Sequence, residues 1–423
     1  MRSKLNGLWK SDFFRNALTL ISGTTLAQGV SILTAPVLYR IYEKEEYGTL
    51  GLYMAITGVI GTFSTMQYQQ AILLEKNEQE ALSAVWLARV INISITLLTC
   101  LLILPITGLY GQWFNNPSIS PWLFLVPFSI FFGGQTAILR EWANRNKAYK
   151  LLTINTILTA ILVPSLSIPL GIWVDGSLGL FTGLLASQVL PTLWLGFSLN
   201  TRTNLQNASF EWEALKTLAK KYIDFPRYSL PSEFINRFTN QLPVFMLSTF
   251  AGAGVVGVYN LTIRMLGLPI QLISSAVTEI FKQKATQQFH ELGNCKRIFR
   301  QTLLSLFLLS VLPFMVLMIF GPDIFAFAFG EKWREAGVFA QILGFLFLFR
   351  FFVSPLSFLF ILRQKMREDF LWHIWMLISN LMVFYIGFKL SGSYYTTLIL
   401  FTINYIVIYS IYLIRSYKFS YST

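Results

Sequence analysis

Apolar runs of about 20 residues, the length that crosses the hydrocarbon core of a bilayer, recur from one end of the chain to the other with short polar links between them. They predict about twelve helical spans, over 17–39, 47–69, 84–106, 121–139, 151–171, 177–198, 228–250, 254–280, 302–320, 336–361, 371–389 and 393–414. The links Trp173-Val174-Asp175-Gly176 and Ser391-Gly392-Ser393 are short enough to make tight hairpins of their neighbours. The longest polar segment, 200–224, is shorter than the roughly 50 residues of a minimal domain, so no separate soluble domain is expected. The fold class that follows is an all-α polytopic membrane protein.

The runs are interrupted by polar residues at helical spacing. In the seventh span Glu233, Arg237, Asn240 and Ser248 share one face, flanked by Asn236 and Gln241. In the eighth, Asn260, Arg264, Gly267, Gln271, Ser274 and Thr278 make a second stripe, interrupted at Pro269. In the first, Thr24, Gln28, Ser31 and Ala35 make a third. In the tenth, Arg350, Ser354 and Ser357 lie opposite a wall of phenylalanines, with Arg350 embedded in Phe345-Leu346-Phe347-Leu348-Phe349-Arg350-Phe351-Phe352. Small and hydroxyl residues inside a span usually form helix contacts. An arginine at a helix centre is different: on insertion scales it costs roughly 2.5 to 3.5 kcal/mol, so it faces a partner or a wet cavity. Four arginines (Arg89, Arg237, Arg264, Arg350) against Glu233 and Glu279 leave positive charge in excess within the spans. Glu233 and Arg237 are an i, i+4 pair that can neutralise itself; Arg89 can snorkel, and Glu279 can sit at an interface. The excess nonetheless favours a hydrated cationic cavity suited to an anion.

Composition agrees. Only 13% of the 423 residues are charged, against about 25% in soluble domains, and 38 are phenylalanine. The net charge of +13 raises the question of nucleic acid, which the placement of the charges answers. With both termini on the cytoplasmic side, 24 lysines and arginines fall in cytoplasmic segments and five (Arg40, Lys44, Lys332, Arg334, Lys389) on the other side; the remaining four are those within spans. That is the positive-inside bias of a membrane protein, and no nucleic-acid partner is needed to explain the basic balance. The basic opening Met1-Arg2-Ser3-Lys4 leads into a first span expected to be retained as a helix.

The two halves resemble each other. Pro36-Val37-Leu38 followed by Gly48-Thr49-Leu50-Gly51-Leu52-Tyr53 recurs as Pro243-Val244-Phe245 followed by Gly254-Val255-Val256-Gly257-Val258-Tyr259, at offsets of 207 and 206. Tyr110-Gly111-Gln112-Trp113 pairs with Phe329-Gly330-Glu331-Lys332-Trp333, and Ile138-Leu139-Arg140 with Ile361-Leu362-Arg363. The order predicts two copies of a six-helix unit: an N-terminal lobe at 1–199, a cytoplasmic linker at 200–227 and a C-terminal lobe at 228–423. An even helix count gives both copies one orientation and puts the substrate site between the lobes.

Several chemistries are absent. There is no G-x-x-x-x-G-K-[ST] phosphate loop. Cys100 and Cys295 make no disulfide framework, and neither they nor His290 and His373 form a metal-ligand cluster. No cofactor and no catalytic machinery are expected, and the external loops are short for a membrane enzyme.

The residues then resemble a family. Ala35-Pro36-Val37-Leu38-Tyr39-Arg40-Ile41-Tyr42, Glu46-Tyr47-Gly48, Gln70-Ala71-Ile72-Leu73-Leu74-Glu75 and Glu80-Ala81 look like the opening of bacterial O-antigen and capsule polysaccharide flippases, relatives of the multidrug and toxic compound extrusion antiporters. Asn240-Gln241-Leu242-Pro243, Gly257-Val258-Tyr259, Arg264, Pro269 and Phe329-Gly330-Glu331-Lys332-Trp333 are similar to the second lobe of that family. The resemblance implies twelve helices in two lobes forming a V that opens to each side in turn. It implies a substrate of undecaprenyl diphosphate bearing an oligosaccharide repeat unit, with Arg237, Arg264 and Arg350 as the diphosphate ligands. It further implies exchange with a proton or a sodium ion, for which Glu233 is the candidate carboxylate, and partners that polymerise the glycan and set its length, in the bacterial cytoplasmic membrane. Two other functions stay open on the residues: extrusion of cationic drugs, which would want acidic groups in the cavity, and polymerisation of the same glycan.

Overall fold

The computed structural model describes residues 12–203, 205, 211–363 and 365–421. Among the described residues there is no strand, and a helix or a pair of helices lies over each expected span. The chain divides into two compact units, 1–237 and 238–423.

The first unit contains α1 (Asp12–Ile41), α2 (Lys44–Gly61), α3 (Glu78–Ile103), α4 (Val126–Arg145), α5 (Tyr149–Trp173), α6 (Leu178–Arg202) and the short α7 (Trp212–Lys221). α5 and α6 form a hairpin whose turn needs Gly176, at φ +90°. α1 lies along α5, and Tyr42, just past its end, locks the three together: its hydroxyl donates to the Ser167 carbonyl at 2.6 Å. The ring occupies space left by Gly171 and Gly179, where an added Cβ would come within 2.5 Å and 2.0 Å of it. At the basic end of the unit, Trp142, Ala143, Leu151, Leu152, Leu195 and Leu199 form a tight core. Leu215 and Leu218 of α7 are buried in the same core, so the connecting segment 200–227 carries a helix that belongs to the N-terminal unit. Glu75, itself buried, receives the Lys221 ammonium on both oxygens at 2.7 Å; Glu80 lies 3.5 Å from the same group, and Tyr68 donates to the Ala219 carbonyl at 3.0 Å.

The second unit takes up most of α8 (Leu230–Ala251), inside which the division falls, and then α9 (Ala253–Pro269), α10 (Ser275–Leu292), α11 (Lys296–Phe329), α12 (Arg334–Val353), α13 (Met366–Ser391) and α14 (Tyr394–Phe419). α11 and α12 meet backbone to backbone at Gly321 and Gly337, where an added Cβ would lie 2.7 Å and 2.3 Å from the facing carbonyl. Their turn is Gly330-Glu331-Lys332-Trp333, with Trp333 fully buried and Arg334 bonded to Asp323 at 2.6 Å and to Glu331. α14 runs beside α12, and Tyr394 and Tyr395 both donate to Glu335 Oε1 at 3.0 Å.

Among the described residues, seven segments are long and apolar enough to cross a membrane alone, and an eighth if the pair Pro117–Leu123 and Val126–Arg145, bent by 54°, counts as one span. Among the described residues α1, α2, α8, α9 and α10 are outside that set, α9 by length, at 17 residues. Of these, α8 and α9 hold two of the polar stripes read from the sequence and α1 a third.

Candidate functional site

The polar stripe of α9 is open at Arg264 and Gly267, whereas the Asn260 amide nitrogen and, beyond α9, Ser274 are buried. Val256, Gly257, Leu261, Thr262 and Leu266 are buried against the unit, whereas Arg264 is exposed and a Cβ on Gly267 would meet nothing. Two hydroxyls fix α9 and its continuation to α12: Thr262 donates to the Ala336 carbonyl at 2.9 Å and Ser274 to the Phe351 carbonyl at 3.2 Å. Between them lies a wide π-helical turn, Ile270–Ser274, directly after Pro269. A proline cannot complete the helical ladder, and such turns recur at functional sites. With Thr262 level with Ala336 and Ser274 level with Phe351, the 1.5 Å rise per residue puts Arg264 and Arg350 about 15 Å apart along the shared direction. They are staggered stations rather than two jaws of one clamp.

Arg350 is half-buried in α12. Its guanidinium lies 5.9 Å from the Phe347 ring centroid, and its charge reaches the phenols of Tyr259 on α9 and of Tyr405 and Tyr409 on α14. Tyr405 is anchored in turn by Asn380 of α13, whose amide donates to its hydroxyl at 3.1 Å, and the amide of Asn404 donates to Asn380 Oδ1 at 3.0 Å. Among the described residues no carboxylate pairs with Arg350 or Arg264. Glu279 is taken up by Lys282 at 2.7 Å. The positive charge of the second unit's span arginines therefore stands uncompensated, offset only by rings and hydroxyl dipoles.

In α8, Asn236, Arg237 and Asn240 are exposed, with Glu233 half-exposed beside them. Arg237 Nη2 stands 3.7 Å from Glu233 Oε1, with half of the Arg237 side chain open. That distance is beyond a hydrogen bond, and an open pair of this kind contributes little, so the guanidinium is free to take a ligand. Ser248, read as part of the same face, is instead fully buried; the stripe ends before it. In α1, Gln28 is half-buried and its Oε1 has no hydrogen-bond partner. Gln271 lies outside the residues whose side chains are described.

A family match spans most of this architecture. Residues 37–338 match the family described as polysaccharide biosynthesis protein. The chain belongs to the polysaccharide biosynthesis protein family. It is 21% identical over 383 residues to the lipopolysaccharide biosynthesis protein WzxC of Escherichia coli K12, covering 89% of this chain and 75% of that one. It is 22% identical over 352 residues to the succinoglycan biosynthesis transport protein ExoT of Rhizobium meliloti 1021, covering 81% and 67%. Among solved structures, the lipid II flippase MurJ in an inward closed conformation superposes with a TM-score of 0.76 at 13% identity, covering 96% of this chain and 87% of that one. An inward-facing multidrug resistance transporter of the MATE family superposes with a TM-score of 0.69 at 14% identity, covering 93% of each. The fold, polytopic and all-helical, is thus one that this flippase and this multidrug transporter share.

Within this family member, two parts of the site are absent from the sequence reading. The Tyr259–Tyr405–Tyr409 surround of Arg350 had a usable signal, since Tyr405, Tyr409 and Tyr412 recur at i, i+4 and i+7 and Asn380 and Asn404 lie mid-span. The docking of α7 had one too, in Leu215 and Leu218 three residues apart in a polar segment.

Proposed function

We propose that the chain is a flippase that moves undecaprenyl-diphosphate-linked oligosaccharide repeat units across the bacterial cytoplasmic membrane for surface polysaccharide synthesis. It crosses the membrane twelve times with both termini cytoplasmic, and it performs no covalent chemistry. The observation that carries the reading is the family match joined to uncompensated arginines on the polar helices: a diphosphate is the part of such a substrate least able to enter lipid. Arginine stays charged in a low dielectric and takes phosphate oxygens in a bidentate fork. Arg237, Arg264 and Arg350 hold the diphosphate, with Asn240, Gln271 and Gln28 offering amides to it and to the sugars. The stagger of Arg264 and Arg350 gives the anion two successive anchors, and the isoprenoid tail stays in the bilayer. Glu233, paired only loosely with Arg237, exchanges a proton or a sodium ion as the substrate engages the arginine. A glycan polymerase and a chain-length regulator receive the flipped unit. The drug-extrusion alternative has no such support, because the exposed charges of α8 and α9 within the spans are chiefly basic.

The test is restoration of surface polysaccharide to cells lacking the transporter. Arg237→Ala, present in the membrane at the native level, is expected to lower export about tenfold or more, the loss of one charge-assisted phosphate contact of roughly 1.5–3 kcal/mol. Arg237→Lys should retain part of the activity, since the ammonium keeps the charge and loses the fork. Full surface glycan with Arg237→Ala would show that this arginine does not touch the substrate.

A further inference from the structure

Outside the polar helices, a cavity of about 390 Å³ opens on the flank of the N-terminal unit between α3, α4 and α6, with Arg89 in its wall. Arg89 is eleven residues from Glu78, the first residue of α3, which puts its backbone about 16 Å along the helix axis. Asn200, at the mouth, is two residues from the end of α6. The cavity thus leads from the basic end of the unit into the depth of the span.

Arg89 has little to hold its charge there. Its guanidinium stands 5.7 Å from the Trp86 ring centroid, its Nε is buried with no hydrogen-bond partner, and none of the ion pairs among the described residues includes it. The nearby carboxylates of α3's basic end are engaged elsewhere, Glu75 and Glu80 with Lys221. Gln135, also in the cavity wall, is oriented by donating to Asn92 Oδ1 at 2.9 Å, which leaves its carbonyl and second amide hydrogen to the cavity. The outer wall is apolar and open: Leu193 and Phe197 of α6 are 57% and 73% exposed. A cationic, amide-lined pocket with a greasy exposed lip is the chemistry of a phosphate whose hydrocarbon chains lie along the protein surface.

We propose that this cavity binds the phosphate headgroup of an anionic phospholipid drawn from the surrounding leaflet, with Arg89 and the Gln135 and Asn200 amides on the phosphate and its acyl chains against Leu193 and Phe197. The volume is at the small end for ligand pockets and admits a phosphate and a glycerol. The site is a lipid anchor outside the polar helices. It neutralises an arginine that the protein leaves unpaired, and it ties α3, α4 and α6 to the membrane in which they sit.

The experiment is native mass spectrometry of the full-length, delipidated protein with palmitoyl-oleoyl phosphatidylglycerol, with phosphatidylcholine of the same chains, and with undecaprenyl phosphate. The wild type is expected to retain phosphatidylglycerol at least fivefold over phosphatidylcholine. Arg89→Gln should erase that preference, Arg89→Lys should keep part of it, and Arg140→Gln, which removes an exposed arginine from the same end, should leave it intact. Gly196 lines the cavity, and a Cβ there would meet only Leu139 at an ordinary 3.5 Å; Gly196→Leu fills the pocket with Arg89 in place and should lower retention as well. If Arg89→Gln does not fold, as judged by its elution and melting in detergent, Gly196→Leu decides. Equal retention by the wild type and Gly196→Leu, or by the wild type and Arg89→Gln, overturns the proposal. Displacement of phosphatidylglycerol by an equal amount of undecaprenyl phosphate, dependent on Arg89, overturns the phospholipid assignment in favour of the carrier lipid.

Discussion

Arg350 lies among rings and phenols, and the order of that surround rests on Asn380, which is fully buried and bonds at once to Tyr405 and Asn404. Replacing Asn380 with leucine fills the space but leaves the Tyr405 hydroxyl and the Asn404 amide short of a partner. A buried unsatisfied group costs about 1–3 kcal/mol, so Asn380→Leu is expected to melt several degrees below the wild type in detergent; an unchanged melting temperature would mean that water or a rotated Asn404 replaces the bond. Arg350 itself was legible in the sequence because a charge in a run of phenylalanines has no other explanation than a partner or a cavity. Its surround was not, because tyrosine and asparagine are tolerated at many places in a span, and only the packing of α9, α13 and α14 decides which of them meet. The stagger of Arg264 and Arg350 was equally hidden, since it depends on where Thr262 and Ser274 fasten α9 to α12.

At the level of elements, close backbone approach does what long apolar faces alone cannot. The ring of Tyr42 reaches the Ser167 carbonyl only because positions 171 and 179 carry no side chain. Gly171→Ala puts a methyl within 2.5 Å of that ring. Overpacking of this kind costs typically 1–3 kcal/mol, and the variant should show faster proteolysis at the α5–α6 turn than the wild type; equal rates would show that α1 shifts freely. The α11–α12 turn has an ionic fastening instead. The Arg334 guanidinium holds the Glu331 carboxyl below the ordinary carboxylate range. A depressed carboxylate contributes stability above its usual value, near 4.5, and loses it as the pH falls through the lower, folded-state value. Melting of the wild type should therefore drop more steeply below pH 4.5 than that of Glu331→Gln, with the two curves parallel above pH 6. The motif Phe329-Gly330-Glu331-Lys332-Trp333 is thus explained by its turn, as Gln70-Ala71-Ile72-Leu73-Leu74-Glu75 and Glu80-Ala81 are explained by the seat they make for α7. Residues that signal the family are, in these two cases, fastenings of the fold rather than contacts for a substrate.

Across the whole molecule, the residues that suggested a repeat are alike at one paired position. Tyr53 and Tyr259, 206 positions apart, are both buried, on α2 and α9. Apolar runs located the spans over α8 and α9 in the sequence, and the arginine stripes then set those two apart. The same polarity bears on how the protein is made. A helix enters the bilayer from the translocon by its own partition free energy, to which a central arginine contributes unfavourably. α8 carries Glu233, Asn236, Arg237 and Asn240 and α9 carries Arg264, so each is costly to release singly and is best held until later, greasier helices emerge to shield it. Biogenesis then has a vulnerable stage: a ribosome stalled just after α9 leaves a nascent chain whose arginine-bearing helices have no shield from the lipid.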